Sequence, residues 1–293
     1  METLKCGVKY SLELLNNIRN SANSLKDVSE SKRVSDYLIK NYSFSGAATD
    51  LVGSMFYDMS LGDEEVQKER NFVGKISSRL IILADLTDDI LDKRPTSLDE
   101  KFRFFDNVTM NLFGHESHSS PDLEEQSSYS LAKSIHRDFI SKYKNAKFKK
   151  ISDELVDTIK RQFTEQDKDE LLEISKIIGS CCTDSTAVLA EIVTGKDYHD
   201  VRNAANKIGE YSALLDNLYE IDNDLEEGVN TYPTVRIGEE GDTSSVRKDI
   251  KNKMLSIANN SFIEGLEHLD EKNKSIYKVL KGFVDLKYKV LRL

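Results

Sequence analysis

Residues 85–92, DLTDDILD, place four carboxylates inside an apolar helical pattern. At 100° per residue the four aspartates fall within about a 100° arc of a helix, and the leucine and isoleucine side chains take the opposite side. We call them the first acid cluster: Asp85, Asp88, Asp89 and Asp92. Carboxylates are costly in an apolar setting unless a cation meets them. The stretch therefore predicts a helix with one buried side and one side that receives a cation.

Residues 216–224, DNLYEIDND, repeat this arrangement further along the chain. Asp216, Glu220 and Asp224 recur every four residues and lie within about 80° of one another on a helix. Leucine and isoleucine side chains take the other side of that helix. We call these three residues the second acid cluster. Two helices that each carry an acidic side and an apolar side predict a group of divalent cations held between them.

Magnesium explains why both clusters consist of carboxylates. It is a hard cation that binds oxygen ligands at about 2.0–2.1 Å and usually keeps waters or substrate phosphates in its shell. Several ions between two acidic helices can bind a diphosphate, which bare carboxylates would repel. The alternative is an ordinary solvated helix face. However, neither stretch contains a lysine or arginine to offset the repulsion between like charges one turn apart. A metal-dependent diphosphate site is therefore the favoured interpretation.

Bulk composition predicts an all-α protein. The 293 residues include only 3 prolines and 14 glycines, and alternating Val/Ile/Thr runs are few. The formal net charge of −10 argues against nucleic acid as a partner, since phosphate binding needs a basic face. Cys6, Cys181 and Cys182 offer neither a metal-ligand spacing nor a disulfide framework.

Neither a signal peptide nor a transmembrane helix is expected. Charged residues interrupt the N-terminal segment, and no stretch approaches the roughly 20 apolar residues needed to span a bilayer. We therefore expect a cytoplasmic protein. Residues 272–292 combine apolar residues with lysines at helical spacing. This helix can make peripheral contact with an anionic membrane, or it can be the last core helix with a solvated face.

Helical periodicity runs from about Val8 to the C-terminus and predicts eleven helices. They cover residues 7–22, 30–41, 46–60, 63–93, 98–113, 124–146, 150–163, 167–194, 198–227, 243–269 and 272–292. Residues 114–121 and 228–243 are predicted loops. Because the two acid clusters must meet at one site, we expect residues 1–293 to form a single domain.

The helix predicted over residues 198–227 carries small residues on the same side as the second acid cluster. Arg202, Gly209 and Ala213 project onto that side. A cavity lined by these residues and by Asp85 would have the metal ions at its mouth. Small residues also allow two helices to pack closely, and the sequence leaves both interpretations open.

Groups that can bind a diphosphate follow both clusters. Lys93 and Arg94 come directly after Asp92, and Tyr232 and Arg236 follow the second acid cluster. Each would offer a cation or a hydroxyl donor to phosphate oxygens. The alternative for each basic residue is an ordinary surface position.

Other metal motifs do not fit the sequence. Residues 222–233 resemble a calcium-binding loop, but Glu227 stands where that loop needs glycine and Pro233 where it needs its final glutamate. The sequence contains no Glu-x-x-His pair, of which a di-iron bundle needs two. His115 and His118 lie three residues apart in a serine-rich loop without further ligands.

The two acid clusters resemble the paired metal motifs of class I isoprenoid synthases, the superfamily of prenyl transferases and terpene cyclases. Residues 88–92 match its Asp-Asp-x-x-Asp motif, and Asp216, Glu220 and Asp224 have the spacing of its second metal motif. Squalene and phytoene synthases are similar in the glycine and the Tyr-Leu-Pro-like turn after the second motif. Bacterial large terpene synthases, the tetraprenyl-β-curcumene synthase family, are similar at residues 97–99 and 214–216.

The chain departs from these families at two places. Glu220 stands where both branches usually have aspartate. The Gly-Lys-Arg-Leu-Arg-Pro-like segment that chain-elongating prenyl transferases use for isopentenyl diphosphate is absent, and residues 69–75 do not replace it. The second departure argues against head-to-tail chain elongation.

The resemblance implies a single-domain helical bundle of the class I terpenoid synthase type, with about ten helices around a central cavity. The catalytic and metal-binding residues it implies are Asp88, Asp89, Asp92, Asp216, Glu220 and Asp224, which would hold about three Mg²⁺ ions. The enzyme would ionise an allylic isoprenoid diphosphate, release diphosphate and form a terpene product. Head-to-head condensation of two prenyl diphosphates is one alternative. A non-catalytic scaffold or partner-binding subunit is another, and a homodimer is one of the assembly states left open.

Overall fold

The structure is a computed structural model that describes residues 2–29, 31–61, 66–93, 97–115, 118–144 and 146–290. Over these residues it consists of helices and their connections and contains no β-strand. The prediction of an all-α fold is confirmed.

The helices have the following bounds: α1 Glu2–Lys26, α2 Lys32–Leu61, α3 Gln67–Lys93, α4 Leu98–Phe113, α5 Leu123–Ile135, α6 Ser141–Tyr143, α7 Ala146–Gln162, α8 Lys168–Thr194, α9 His199–Tyr219, α10 Ile221–Glu227, α11 Tyr232–Glu240, α12 Ser244–Glu267 and α13 Glu271–Val290. A π-helical turn, His136–Ile140, connects α5 to α6.

Local signals define α4, whose predicted bounds agree with the structure residue for residue. The Ser97 side chain accepts a hydrogen bond from the backbone N–H of Glu100, and the Glu100 side chain accepts one from the backbone of Ser97. This reciprocal cap satisfies backbone donors that the first helical turn leaves without partners. Gly114 ends the helix with a φ of 72°, a left-handed conformation that glycine adopts without strain.

The prediction of two helices over residues 30–60 is wrong, because α2 continues through residues 42–45. This stretch, Tyr-Ser-Phe-Ser, has weak intrinsic helix propensity. Packing compensates for it, since Tyr42 and the following Gly46 and Ala47 are buried.

The predicted helix over residues 198–227 is interrupted at Glu220, which has φ −103° and ψ 10° and separates α9 from α10. Helical hydrogen bonds nevertheless continue on both sides of the break. The backbone N–H of Glu220 donates to the backbone carbonyl oxygen of Asp216 at 3.0 Å. The backbone N–H of Asp224 donates to the carbonyl oxygen of Glu220 at 2.9 Å. The three members of the second acid cluster therefore remain one turn apart, although they do not share one straight helix.

The predicted loop over residues 228–243 is also wrong, because α11 occupies most of it. Thr231 caps this helix together with Thr234, and Pro233 lies in its first turn. Proline is well tolerated there because first-turn N–H groups have no partner within the helix. Pro233 thus marks the start of a helix within the predicted loop.

The described contacts divide the chain into two compact units. Unit 1 comprises Thr3–Ala146 and Leu189–Lys196, and unit 2 comprises Lys147–Val188 and Asp197–Leu293. The expected single domain over residues 1–293 stays a prediction. Each unit contains one acid cluster.

In unit 1, α3 packs against α2 and α5. Glycines allow the closest approach of α2 and α3. A Cβ added to Gly53 would collide with the side chain of Ser77, and one added to Gly74 would collide with Asp50. The helix that carries the first acid cluster is thus held at short range against α2.

In unit 2, α9 packs against α12 and makes a still closer contact with α8. A Cβ added to Gly209 would overlap the carbonyl oxygen of Gly179, and the reverse also holds. The Thr183 hydroxyl donates across this contact to the carbonyl oxygen of Ala205 at 2.6 Å. The backbones of α8 and α9 are therefore in direct contact, at a point that precedes the second acid cluster along α9.

Two helices bear on the expectations about membranes. The apolar side of α13 contributes Ile276, Tyr277 and Leu280 to the core, as the core-helix interpretation requires. Among the described residues α8 is the one helix whose length and composition would suffice to cross a bilayer, which the sequence analysis did not expect. Half of its most apolar stretch is buried inside the protein, as in an ordinary core helix.

Candidate active site

The first acid cluster occupies the last turns of α3. Asp85 and Asp88 are exposed and Asp89 and Asp92 are half-buried. The apolar side of the same helix is buried, at Leu86, Ile90 and Leu91. This arrangement confirms the helical periodicity of residues 85–92. Because Asp92 lies in the last turn, its charge is next to the negative end of the helix dipole, where an anion is unfavourable and a cation is favourable.

Hydroxyl groups from α2 reach this cluster within unit 1. The Tyr42 hydroxyl donates to Oδ2 of Asp89 at 3.1 Å, and the Ser45 hydroxyl donates to Oδ2 of Asp85 at 3.2 Å. Burial and the neighbouring charge of Asp89 raise the pKa of Tyr42 well above its usual range, so this phenol stays protonated and can act as a donor. The sequence analysis did not assign a role to either hydroxyl.

The second acid cluster begins at the end of α9. Asp216 lies in the last turn of that helix and is half-buried. Its Oδ1 atom accepts hydrogen bonds from the Tyr288 hydroxyl at 2.9 Å and from Nζ of Lys287 at 3.3 Å. Both donors come from α13 within unit 2. Asp216 thus carries a cationic partner in this structure, whereas the donors described for Asp85 and Asp89 are neutral.

Tyr288 is held rigidly in this position. Its side chain is 2% exposed, and its ring stacks on that of Tyr219 with a centroid distance of 5.5 Å. Burial, followed by the charge of Asp216, raises the pKa of Tyr288 well above its usual range. Sequence reasoning missed this residue because 72 positions separate it from Asp216 and the basic residues of α13 suggested a membrane or solvent face.

The remaining members of the second acid cluster lie around the helix break. Glu220 is half-buried at the break itself, and Asp224 accepts a hydrogen bond on Oδ2 from the Thr231 hydroxyl at 3.3 Å. Asp222, which lies outside the predicted i, i+4, i+8 pattern, is 76% exposed and pairs with Arg247 at 2.8 Å. The joint role of Asp216, Glu220 and Asp224 as metal ligands stays a prediction.

The predicted diphosphate ligands have mixed outcomes. Tyr232 is buried, and its hydroxyl accepts a hydrogen bond from Nη1 of Arg236 at 3.1 Å. The Arg236 guanidinium also pairs with Glu240 at 2.8 Å and with Asp249 at 3.2 Å, and these bonds raise its pKa. In this structure Arg236 connects α11 to α12, and its role toward a diphosphate stays a prediction. The Lys93 side chain and Arg94 lie outside the described residues.

The predicted cavity-lining residues of α9 contact α8. Gly209 meets the backbone of Gly179, and the Ala213 side chain lies beside the same residue. Arg202 forms a two-point ion pair with Asp184 at 2.7 and 2.6 Å. Close helix packing, the alternative considered for the small residues, is therefore present at Gly209 and Ala213. A cavity-lining role for these residues, and for Asp85, stays a prediction.

The donor set suits magnesium better than a soft metal. Both clusters offer carboxylate oxygens, and neither includes a histidine or cysteine. Among the described residues no three carboxylate, histidine or cysteine side chains converge into a preformed metal site. Magnesium fits such an incomplete site because it retains waters and completes its shell with substrate phosphates.

Comparisons with known proteins give a match at the level of structure only. No family model and no curated protein matches the sequence. A geranyltranstransferase from Methanosarcina mazei is similar with a TM-score of 0.62 and 12% identity, over 95% of this chain and 97% of that chain. The chain has the class I isoprenoid synthase fold.

Two further solved structures with this fold were determined with ligands. A geranylgeranyl pyrophosphate synthase from Corynebacterium glutamicum, complexed with isoprenyl diphosphate and magnesium, has a TM-score of 0.58 and 11% identity, over 96% of this chain and 98% of that chain. A linalool/nerolidol synthase from Streptomyces clavuligerus, in complex with 2-fluorogeranyl diphosphate, has a TM-score of 0.57 and 11% identity, over 95% and 98%. The class I isoprenoid synthase fold thus occurs in both a chain-elongating enzyme and a terpene synthase.

Proposed function

We propose that this protein is a Mg²⁺-dependent class I terpene synthase or prenyl transferase that ionises an allylic isoprenoid diphosphate and releases diphosphate. The observation that carries the proposal is the position of the carboxylates. Asp92 and Asp216 occupy the last turns of α3 and α9, where the helix dipole opposes negative charge and favours bound cations. The class I isoprenoid synthase fold supports the same reaction class.

The two acid clusters have parallel roles in this proposal. The residues that would hold the ions, about three of them, are Asp88, Asp89 and Asp92 in unit 1 and Asp216, Glu220 and Asp224 in unit 2. Bound magnesium supplies Lewis acidity that stabilises the departing diphosphate. Lys287, now at 3.3 Å from Asp216, would bind phosphate oxygens once a metal has taken its place on that carboxylate.

A single diphosphate substrate is favoured over two. The segment that chain-elongating prenyl transferases use for isopentenyl diphosphate has no counterpart at residues 69–75. This supports a lyase or cyclase reaction over chain elongation, with head-to-head condensation as the alternative. Diphosphate released per molecule of organic product distinguishes them, since condensation consumes two prenyl diphosphates.

The first experiment measures diphosphate release with Mg²⁺ from geranyl, farnesyl, geranylgeranyl and geranylfarnesyl diphosphate, singly and in pairs. Asp88→Ala and Asp216→Ala should abolish release. Asp222→Asn is the matched control, because Asp222 is an acid of the same segment that lies outside the cluster and pairs with Arg247. Release that depends on both clusters but not on Asp222 supports the proposal. If the wild type releases nothing from any substrate, the scaffold alternative takes its place.

The cytoplasmic location and the membrane contact of residues 272–292 belong to the same proposal. The exposed side of α13 carries lysines and Leu286, which is 52% exposed. Such a surface can approach an anionic bilayer where a prenyl substrate resides. Co-sedimentation with anionic vesicles should fall when surface lysines such as Lys278 are replaced by glutamate. Unchanged binding would exclude the contact.

A further inference from the structure

The hydroxyls of Tyr42 and Ser45 match two carboxylates of the first acid cluster in spacing as well as in distance. Tyr42 and Ser45 lie three residues apart on α2, and their acceptors Asp89 and Asp85 lie four residues apart on α3. Both spacings correspond to about one helical turn. Two successive hydrogen bonds therefore connect α2 to α3, each with a hydroxyl donor on α2 and a carboxylate acceptor on α3.

Packing fixes the position of the Tyr42 donor. Its side chain is 8% exposed, and its ring lies 6.2 Å from that of Tyr37 at an angle of 58°. The Tyr37 hydroxyl in turn donates to Glu124 of α5 at 3.4 Å. A tyrosine ring has only two side-chain torsions, so a buried ring holds its hydroxyl with little freedom.

A neutral donor affects a carboxylate differently from a cation. A lysine or arginine at position 42 would neutralise Asp89 and compete with a metal ion for it. A protonated phenol fixes the orientation of the carboxylate through one hydrogen bond and leaves its negative charge intact. Hydrogen bonds of this kind to metal ligands commonly change metal affinity or activity 10–100-fold.

We propose that Tyr42 and Ser45 are positioning residues for the metal site, with Tyr42 orienting Asp89 and Ser45 orienting Asp85. This inference rests on the proposed function, because it presupposes that the first acid cluster binds magnesium. It adds to that function in two ways: Asp85 joins the carboxylates that hold the metal, and α2, a helix outside both acidic segments, supplies the donors that orient them. The hydroxyls act through the carboxylates and do not themselves touch the metal.

The test compares Tyr42→Phe with Tyr57→Phe. The first keeps the ring and removes the donor to Asp89, whereas the second removes a hydroxyl of the same helix that donates to Glu69 at 3.0 Å. Mn²⁺ binding in the presence of inorganic diphosphate, followed by electron paramagnetic resonance, reports affinity without turnover. We expect Tyr42→Phe to raise the Kd for Mn²⁺ about tenfold or more, and Tyr57→Phe to change it by less than about twofold.

Ser45→Ala provides a second variant that leaves the aromatic packing intact, in case Tyr42→Phe destabilises the fold. It should also weaken Mn²⁺ binding, by about threefold or more, since one hydrogen bond to a charged group is lost. For both variants the Mg²⁺ concentration for half-maximal activity should rise while kcat at saturating Mg²⁺ stays near the wild-type value. A purely structural role would lower the unfolding midpoint without raising the Mg²⁺ concentration needed for half-maximal activity.

The outcomes separate this inference from the proposed function. If Asp88→Ala loses Mn²⁺ binding and diphosphate release, but Tyr42→Phe and Ser45→Ala bind Mn²⁺ like the wild type, the positioning role is wrong and the function stands. If the wild type binds no Mn²⁺ with inorganic diphosphate, both are wrong. Weaker binding in Tyr42→Phe and Ser45→Ala, but not in Tyr57→Phe, supports both.

Discussion

The two acid clusters use the same residue type in different settings. The first lies on one uninterrupted helix, and the donors described for Asp85 and Asp89 are neutral hydroxyls. The second is divided by the break at Glu220, and Asp216 accepts from the ammonium group of Lys287 as well as from Tyr288. Each unit thus combines a tyrosine donor with its carboxylates, and in unit 2 the ammonium group of Lys287 is a further partner of Asp216.

The ion pair at Asp216 indicates how the second acid cluster should behave before substrate arrives. A carboxylate that is already paired with an ammonium group must exchange that partner for a metal. We therefore expect Asp216 to become available to a metal ion when a diphosphate attracts Lys287.

The largest expected effect tests whether the clusters are equivalent in catalysis. Asp89→Asn and Asp216→Asn should each lower the rate of diphosphate release about a thousandfold, since each removes a negative metal ligand and several kcal/mol of charge stabilisation. Glu220→Asp should stay within about tenfold of wild type, since it keeps the carboxylate. Steady-state kinetics at saturating Mg²⁺ provide the measurement. A loss confined to one cluster would contradict the expectation that diphosphate release requires both clusters.

The next effect concerns the glycine contacts that hold the two acid-bearing helices. Gly209→Ala should lower the free energy of unfolding by about 1–3 kcal/mol, because the new Cβ would overlap the carbonyl oxygen of Gly179. Gly74→Ala should cost less, since the nearest backbone atom to its added Cβ, the carbonyl oxygen of Asp50, lies at 2.9 Å, whereas the corresponding distance at Gly209 is 2.1 Å.

Gly238→Ala is the control for both glycine variants. A Cβ at this helical position meets no atom within 4 Å, so alanine should stabilise the protein by about 0.5–1 kcal/mol. Urea denaturation measures all three variants. Equal effects of Gly209→Ala and Gly238→Ala would show that the α8–α9 contact yields easily and does not hold the second acid cluster in place.

A smaller effect, confined to unit 1, depends on pH. Burial, together with the nearby charge of Glu13, raises the pKa of Asp50 from its ordinary value of 3.8 to about 7, and Arg70 opposes this shift. The unfolded chain releases this proton near pH 4 and the folded chain near pH 7. Stability from this group is therefore complete below pH 4, falls as the pH rises from about 4 to 7, and stays reduced above that window.

Asp50→Asn should remove this penalty, because an amide resembles the protonated carboxyl group. We expect it to raise the free energy of unfolding on the order of 1 kcal/mol above pH 7 and to have little effect below pH 4. Unfolding curves of the variant and the wild type from pH 4 to 8 measure the difference. A gain that is the same at every pH would assign the effect to packing instead of charge.

The smallest expected effect sharpens the contrast at Asp216. Lys287→Gln removes an ion pair whose side chains are 57% and 41% exposed, so its contribution to stability should be under about 1 kcal/mol. Without the competing ammonium group, Mn²⁺ alone should bind about two- to fivefold more tightly, as an interaction of that size implies. Weaker Mn²⁺ binding without diphosphate would mean that Lys287 orients Asp216 and does not compete with the metal.

Sequence reasoning worked where the decisive information is local. The periodicity of residues 85–92 predicted the exposed and buried sides of α3, and the Ser97 cap and Gly114 set both ends of α4. It failed where partners are distant in sequence. Residues 42–45 lie between two predicted helices, but in the structure their hydroxyls form contacts with α3 that no local pattern reveals.

In the candidate site, too, the sequence indicates the residues that follow a local spacing and not those whose partners are distant in the chain. Spacing selected Asp216, Glu220 and Asp224, whose joint role as metal ligands stays a prediction. Spacing did not identify Tyr288, because the contact joins the end of α9 to the end of α13. Residues that orient a site are harder to predict than the site itself, since they obey no motif and depend on which helices become neighbours.

The contact between Gly179 and Gly209 has a consequence for recognising distant relatives. Neither position can gain a side chain while the other keeps its backbone in place. We therefore expect both positions to be occupied by small residues in related chains. That paired constraint is independent of the acidic residues. Chains that have kept the architecture but lost the chemistry would still carry it, and it offers a second fingerprint where overall sequence identity has faded.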